Sequence, residues 1–300
     1  MKKLSEKQKA IMMKALDVFY VQTDADKCPY ETCMKAVTLL EYLDVPDQEK
    51  IRYNEPDEVE VCLARLLALH YAVLAMGTDC DKGPEGFVYF GLFLNISNTI
   101  VAICKLAEEG LDYQAMSLIR NLFELFMTLL IITDSPEKRA AFVSANEAED
   151  ARKVWHKYFT KTKFLQMLKE YCAEHPDLNK VIEDFQGWIN ENYGELSSYT
   201  HSDYPHLVCC SLSQNDEVGI SRPNIWGEYI TWQKRIYSQL CTVAVLAHVL
   251  FCYMLKDTAN DITLDRLFGD NPRKEPHTGK EIVLELQNAL ESLVRYNNVS

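Results

Sequence analysis

Three hundred residues, 48% of them hydrophobic, hold enough apolar material for one large domain or two modest ones. A formal charge of -13 sets the surface as a whole against nucleic acid and anionic membranes, so any RNA or DNA contact has to come from a local basic patch. Only 11 Gly and 10 Pro, the prolines lying between periodic segments, argue against a loop-rich β fold and for an all-α multi-helix bundle.

Residues 5–22 and 31–43 read as short amphipathic helices parted by a turn around Asp24, Asp26 and Pro29, and a charged linker runs from Pro46 to Pro56. A helix opens at Pro56, Asp57 and Glu58, with Pro at a starting position and acids in the first turn, and runs to Gly77. Residues 79–86 read as a loop. The next helix spans about 87–109 and stops at Gly110; its neighbour spans about 113–133. Their connection is so short that the two are expected to form a central antiparallel hairpin. Ser135, Pro136 and Glu137 start a longer helix reaching about Cys172, and Pro176 starts another toward Tyr199, with Gly194 as the place for a break. Residues 205–223 are irregular, with 208–212 readable as a short strand. A helix over about 225–256 closes the bundle, and capping-box spacing from Thr278 to Glu281 opens a last amphipathic helix to about Arg295. These limits imply an N-terminal helical extension over 1–55, a core bundle over 56–257 and a C-terminal helical appendage over 258–300.

The ten cysteines include no C-x-x-C pair, and Cys62, Cys104, Cys241 and Cys252 sit in apolar helical runs where Cys acts as a small hydrophobe. The charged opening residues lead into no apolar stretch, so no signal peptide is read there. A reducing, cytoplasmic location without disulfides is the expectation. Two apolar stretches bear on a membrane. Residues 115–133 carry Arg120 and Glu124 at their centre, and residues 240–255 fall short of the roughly 20 needed to span a bilayer. Both read as core helices, so no membrane contact is expected.

Arg120 and Glu124, one turn apart, share a face of an otherwise apolar helix. The preceding helix offers Asn95, Ser97, Asn98 and Thr99, which with Asn121 are expected to meet the pair in the interior. Burying two charges costs several kcal/mol before pairing, which leaves two readings: an ion pair fixing helix register, or an anion site using the rigid arginine fork. A second cluster, from Tyr193 to His206, holds Glu195, Ser197, Tyr199 and His201. Pro205 biases Tyr204 out of the α region, so His201 lies where the helix ends. There it is either a capping histidine stabilised by the helix dipole or a general acid/base at the rim of a cleft. A metal alternative would use His201, Asp203 and His206 with Glu124 or Glu195. That spacing is not a standard one, and neither metal nor cofactor is expected. Finally, Arg152, Lys153, His156, Lys157, Lys161, Lys163 and Lys169 make a basic stretch interleaved with Trp155, Tyr158 and Phe159. It reads either as a guide for a phosphate backbone or as a solvated helix face with its aromatics turned inward.

The run from Leu106 to Glu124, in which a helix ending at Gly110 leads to Ala115, Leu118, Arg120 and Glu124, resembles an uncharacterised bacterial family. Tyr193, Leu196, Ser197 and His201 are similar to that family's second signature, and the resemblance covers about 85–255. The family in turn resembles the HEPN superfamily of all-α proteins. These often dimerise, and many are metal-independent RNases of toxin and antiphage systems, while others are non-catalytic. The resemblance implies a homodimeric RNA-cleaving or nucleotide-handling component of a prokaryotic defence or stress system. Its catalytic residues would be Arg120, Glu124 and His201, with Asn95, Asn98, Asn121, Tyr193, Ser197, Tyr199 and Lys157 binding substrate. The alternative is a non-catalytic helical module that binds a protein or small ligand and keeps a structural Arg–Glu pair. The HEPN signature has an Arg with four to six residues between it and the His. Gly194, Glu195 and Leu196 stand in those places, so Arg120 would have to replace that Arg in space.

Overall fold

The computed structural model describes residues 54–201 and 232–257, short extended pieces at 51–52, 212–215, 220–223 and 229–230, and Asp261, Ile262 and Leu267. The chain divides into two compact units, Met1–Ile51 and Arg52–Ser300, and the described helices all belong to the second. The helices expected at 5–22, 31–43 and 278–295 lie outside the described residues.

Helix α1, Glu58–Gly77, starts where the capping logic puts it: the Asp57 carboxylate accepts the Val59 N–H at 2.7 Å, with Glu58 and Glu60 at the positive end of the dipole. Helix α2, Pro84–Glu108, begins inside the expected loop, which shrinks to a 3-10 turn at Cys80–Lys82. Gly86 makes that possible. A Cβ there would collide with the Asp79 carbonyl, so the first turn of α2 closes on the preceding chain only around glycine. Gly86→Ala is expected to cost about 1–3 kcal/mol, as overpacking against backbone does; an unmoved urea midpoint would contradict the close approach.

Gly110, at φ 70°, turns the chain into α3, Asp112–Asp134. This helix is the hub of an all-α bundle. Ile119, Leu122, Phe123 and Phe126 are fully buried, and α3 packs against α2, α4 (Pro136–Ser144), α6 (Lys161–Glu174), α7 (Asn179–His201) and α8 (Gln233–Lys256). The single helix expected over 135–172 is three, because two caps lie inside it. Ser135 Oγ accepts the Lys138 N–H to start α4. The chain leaves the helix at Ala145 and restarts as α5, Ala148–Tyr158. Thr160, with extended backbone, then accepts the Lys163 N–H to start α6. No break occurs at Gly194 in α7. An antiparallel ribbon pairs Leu212–Asn215 with Ile220–Pro223, beginning where the expected 208–212 strand ends. Helix α8 starts later than about 225, since Tyr229–Ile230 is extended.

The expectations of no membrane and of a cytoplasmic location are overturned. By length and composition, α1, α2, α3 and α8 are each long and apolar enough to cross a membrane. Between 44% and 67% of each apolar window is buried, which leaves residues such as Met76, Phe87 and Leu94 facing outward. The apolar run at 240–255 is only part of α8, which extends over 24 residues, and α1, with Arg65 alone near its middle, and α2, charged only toward its ends, also reach spanning length.

Among the described residues the most deeply buried charge is Arg139, 1% exposed, which no sequence pattern singled out. Its Nη1 donates to the Ile132 carbonyl at 2.9 Å, its Nη2 grips both oxygens of Asp261 at 2.5 and 2.7 Å, and its Nε lies 3.4 Å from Glu85. Removing Asp261 leaves the buried cation with the longer Glu85 contact as its remaining carboxylate among the described residues. Asp261→Ala is expected to cost about 3 kcal/mol, the low end of the range for breaking a buried pair, because that carboxylate is itself 41% exposed. Arg139→Met, which removes the buried charge along with the pair, should cost less. Chemical denaturation ranking the two variants the other way round would contradict this.

Candidate functional site

Helices α3 and α7 are seated on each other by Phe123, whose ring stands 5.6 Å from Tyr193 and 5.8 Å from Trp188, and by a 3.2 Å hydrogen bond from Ser117 Oγ to the Tyr199 carbonyl. Tyr193, Ser197 and His201 are spaced by four, so they form one stripe along α7, while Leu196 and Tyr199 turn into the core. Arg120 reaches across to that stripe. Its Nη1 donates to Ser197 Oγ at 2.9 Å and lies 3.3 Å from His201 Nε2. Its Nε donates to Glu124 at 3.1 Å, and its guanidinium carbon sits 5.3 Å from the centre of the Tyr193 ring. Three helices meet here, because Lys161, the first residue of α6, brings its Nζ to 5.0 Å from the same ring.

An arginine only donates, so the contact with His201 assigns the Nε2 lone pair as acceptor and puts the proton of the neutral imidazole on Nδ1. Arg120 Nη2 has no hydrogen-bond partner among the described residues. Ser197 accepts from Arg120 and keeps its own O–H unspent among those residues, whereas Ser198 and Thr200 donate theirs to the Gly194 and Leu196 carbonyls. The site therefore offers spare donors beside a lone pair that the resting site holds on Arg120 Nη1, which suits an anion next to an acidic proton once that 3.3 Å contact is exchanged.

The pair is not interior as expected. The side chains of Arg120 and Glu124 are 16% and 29% exposed, and His201, at the end of α7, is exposed. Both side chains keep part of their contact with water, so the full burial cost is not incurred. Asn95, Asn98 and Asn121 do not join the pair. All three face solvent, and Asn95 donates to the Gly91 carbonyl at 2.8 Å; the inward residue of that stretch is Ser97, which donates to the Ala68 carbonyl at 2.8 Å. Tyr199 is buried and donates to Glu195 at 3.1 Å, and Glu195 in turn is gripped by Arg235.

The basic stretch is divided between α5 and α6. Phe159 is buried and Trp155 stacks on it, so these aromatics pack inward, and Lys157 is exposed against Tyr158. Lys161 is the residue of that stretch that meets the Tyr193 ring; its place follows from Thr160 being the cap of α6, which the sequence pattern did not reveal. Asp203 and His206 lie outside the described residues. Among those described, no group of three His, Cys, Asp or Glu could hold a metal ion.

Residues 86–217 match the model of a family of unknown function, DUF5677. The match takes in Arg120, Glu124, Lys161, Tyr193, Ser197 and His201, and it is consistent with the resemblance to an uncharacterised family, over a shorter span than 85–255. No curated protein and no solved structure matches the chain.

Proposed function

We propose that the chain is a HEPN-like RNA-cleaving enzyme whose reaction runs at Arg120 and His201. The observation that carries this reading is the 3.3 Å approach of Arg120 Nη1 to His201 Nε2, which joins residues 81 positions apart into one constellation of base and cation. His201 Nε2, exchanging its contact with Arg120 Nη1 for the substrate, takes the proton of a ribose 2′-hydroxyl as that oxygen attacks the adjacent phosphorus. The bond from phosphorus to the 5′-oxygen breaks, and the departing oxygen takes up a proton from the imidazolium or from water. Arg120 Nη2 and the Ser197 hydroxyl hold the charge that grows on the non-bridging oxygens, and Glu124 fixes the plane of the guanidinium. In this reading Arg120 stands in for the Arg missing from positions 194–196, and the cellular role is prokaryotic defence or stress.

Incubation with total RNA in the presence of chelator is expected to give fragments with 2′,3′-cyclic phosphate and 5′-hydroxyl ends. RNA recovered intact, or cut to the same products by His201→Ala, would overturn the reading. One observation favours the second reading, a non-catalytic module: Nε and Nη1 of Arg120 are already spent on groups of the protein itself. That reading expects no RNA product and a lower melting temperature for Arg120→Ala.

A further inference from the structure

We infer that Lys161 is a second phosphate-holding arm of the Arg120 site, which therefore takes ligands carrying two neighbouring phosphates. This rests on the RNA-cleaving reading of that site and adds to it the class of substrate. Arg120 and Lys161 approach one ring, that of Tyr193, from two different helices, at 5.3 and 5.0 Å. Like charges held near one another repel unless an anion lies with them, and an aromatic face only partly compensates.

Arg120 has Glu124 as its carboxylate, while Lys161 has none within 4 Å among the described residues. The site is thus locally cationic in a chain of net charge -13. The position of Lys161 is also built rather than incidental. Thr160 caps α6 through the Lys163 N–H, which fixes Lys161 as the first residue of that helix. Among the described residues Lys161 hydrogen-bonds neither Ser197 nor His201, so those two groups are left to Arg120. One phosphate seated on Arg120 Nη2 and Ser197 leaves the lysine, a compact point charge, for the next phosphate of a strand.

Isothermal titration with two uncleavable 2′-deoxy dinucleotides tests this, one with a single internal phosphate and the other with an added 5′-phosphate. The wild-type protein is expected to bind the two-phosphate form about tenfold tighter, as one further charge-assisted contact gives. Lys161→Gln should abolish that gain and leave the one-phosphate form unchanged, and Lys161→Arg should restore it. Equal binding of the two forms, binding of neither, or a Lys161→Gln protein weakened equally toward both would overturn the inference. RNA cleavage without phosphate discrimination would sink this inference alone, and discrimination without cleavage would sink the RNase reading while leaving a two-phosphate site.

Discussion

Replacing His201 with Ala is expected to slow RNA cleavage by about 10²–10⁴-fold, the share a positioned general base contributes, and to leave the melting temperature where it was. The second half of that expectation makes the first half interpretable. His201 is the exposed last residue of α7, so truncating its ring opens no cavity and unfolds nothing. Arg120→Lys separates charge from geometry in the same assay. It keeps a cation but loses the fork that reaches Glu124, Ser197 and His201 at once. Single-turnover rates should fall by about 10²–10³-fold, the loss typical of one oxyanion donor. Because the two residues serve one step, the double variant should be hardly slower than the worse single one. A His201→Ala protein that cuts at the wild-type rate would remove the base from the mechanism and the mechanism with it.

How far such a site could be read in advance depends on how far each interaction reaches along the chain. The four-residue spacings of Arg120 with Glu124, and of Tyr193 with Ser197 and His201, are properties of one helix, so periodicity alone exposes them. Helix starts marked by Asp57 or Ser135 are equally local. Which stripe of one helix meets which stripe of another is not local. Asn95 and Asn98 look as plausible in sequence as Ser197, yet α2 turns Ser97 inward instead, where its hydroxyl finds the Ala68 carbonyl. Arg139 is hidden for the same reason, since its carboxylate partners, Glu85 and Asp261, lie 54 positions before it and 122 after. The apolar lengths of α1 and α2 are legible in the residues themselves. Opposite charges one turn apart in an apolar stretch demand an explanation, whereas a helix with a lone Arg65 at mid-length, as in α1, or with charges only toward its ends, as in α2, passes for ordinary core.

Lowering the pH from about 6.5 toward 4 is expected to remove about 3 kcal/mol of folding stability through His70 alone. His70 on α1 and His248 on α8 are buried with ring centres 4.7 Å apart, and both meet the ring of Tyr71 edge-on, which in turn packs against Phe93 and Phe126. Burial pushes His70 down to about 4, and burial followed by the neighbouring His70 pushes His248 well below its ordinary value. The folded state thus holds both rings neutral, while the unfolded chain protonates them near 6.5, so the stabilisation is complete above that pH and is lost as acid is added. The two rings differ in their hydrogen bonds. His248 faces the Tyr71 hydroxyl through Nδ1 at 3.3 Å and the Cys252 thiol through Nε2 at 3.5 Å. His70 Nδ1 is buried without a hydrogen-bond partner among the described residues. His70→Leu removes both an acid-sensitive group and an unpaired polar atom. The variant should therefore be at least as stable as wild type at pH 7.5, and its urea midpoint should fall less steeply down to pH 5. His248→Leu strands the Tyr71 hydroxyl and should lose about 1–3 kcal/mol at neutral pH, the cost of an orphaned buried donor. A wild-type midpoint flat between pH 7 and 5, or a steeper acid loss in His70→Leu, would show that these histidines take up protons as readily in the folded protein as in water.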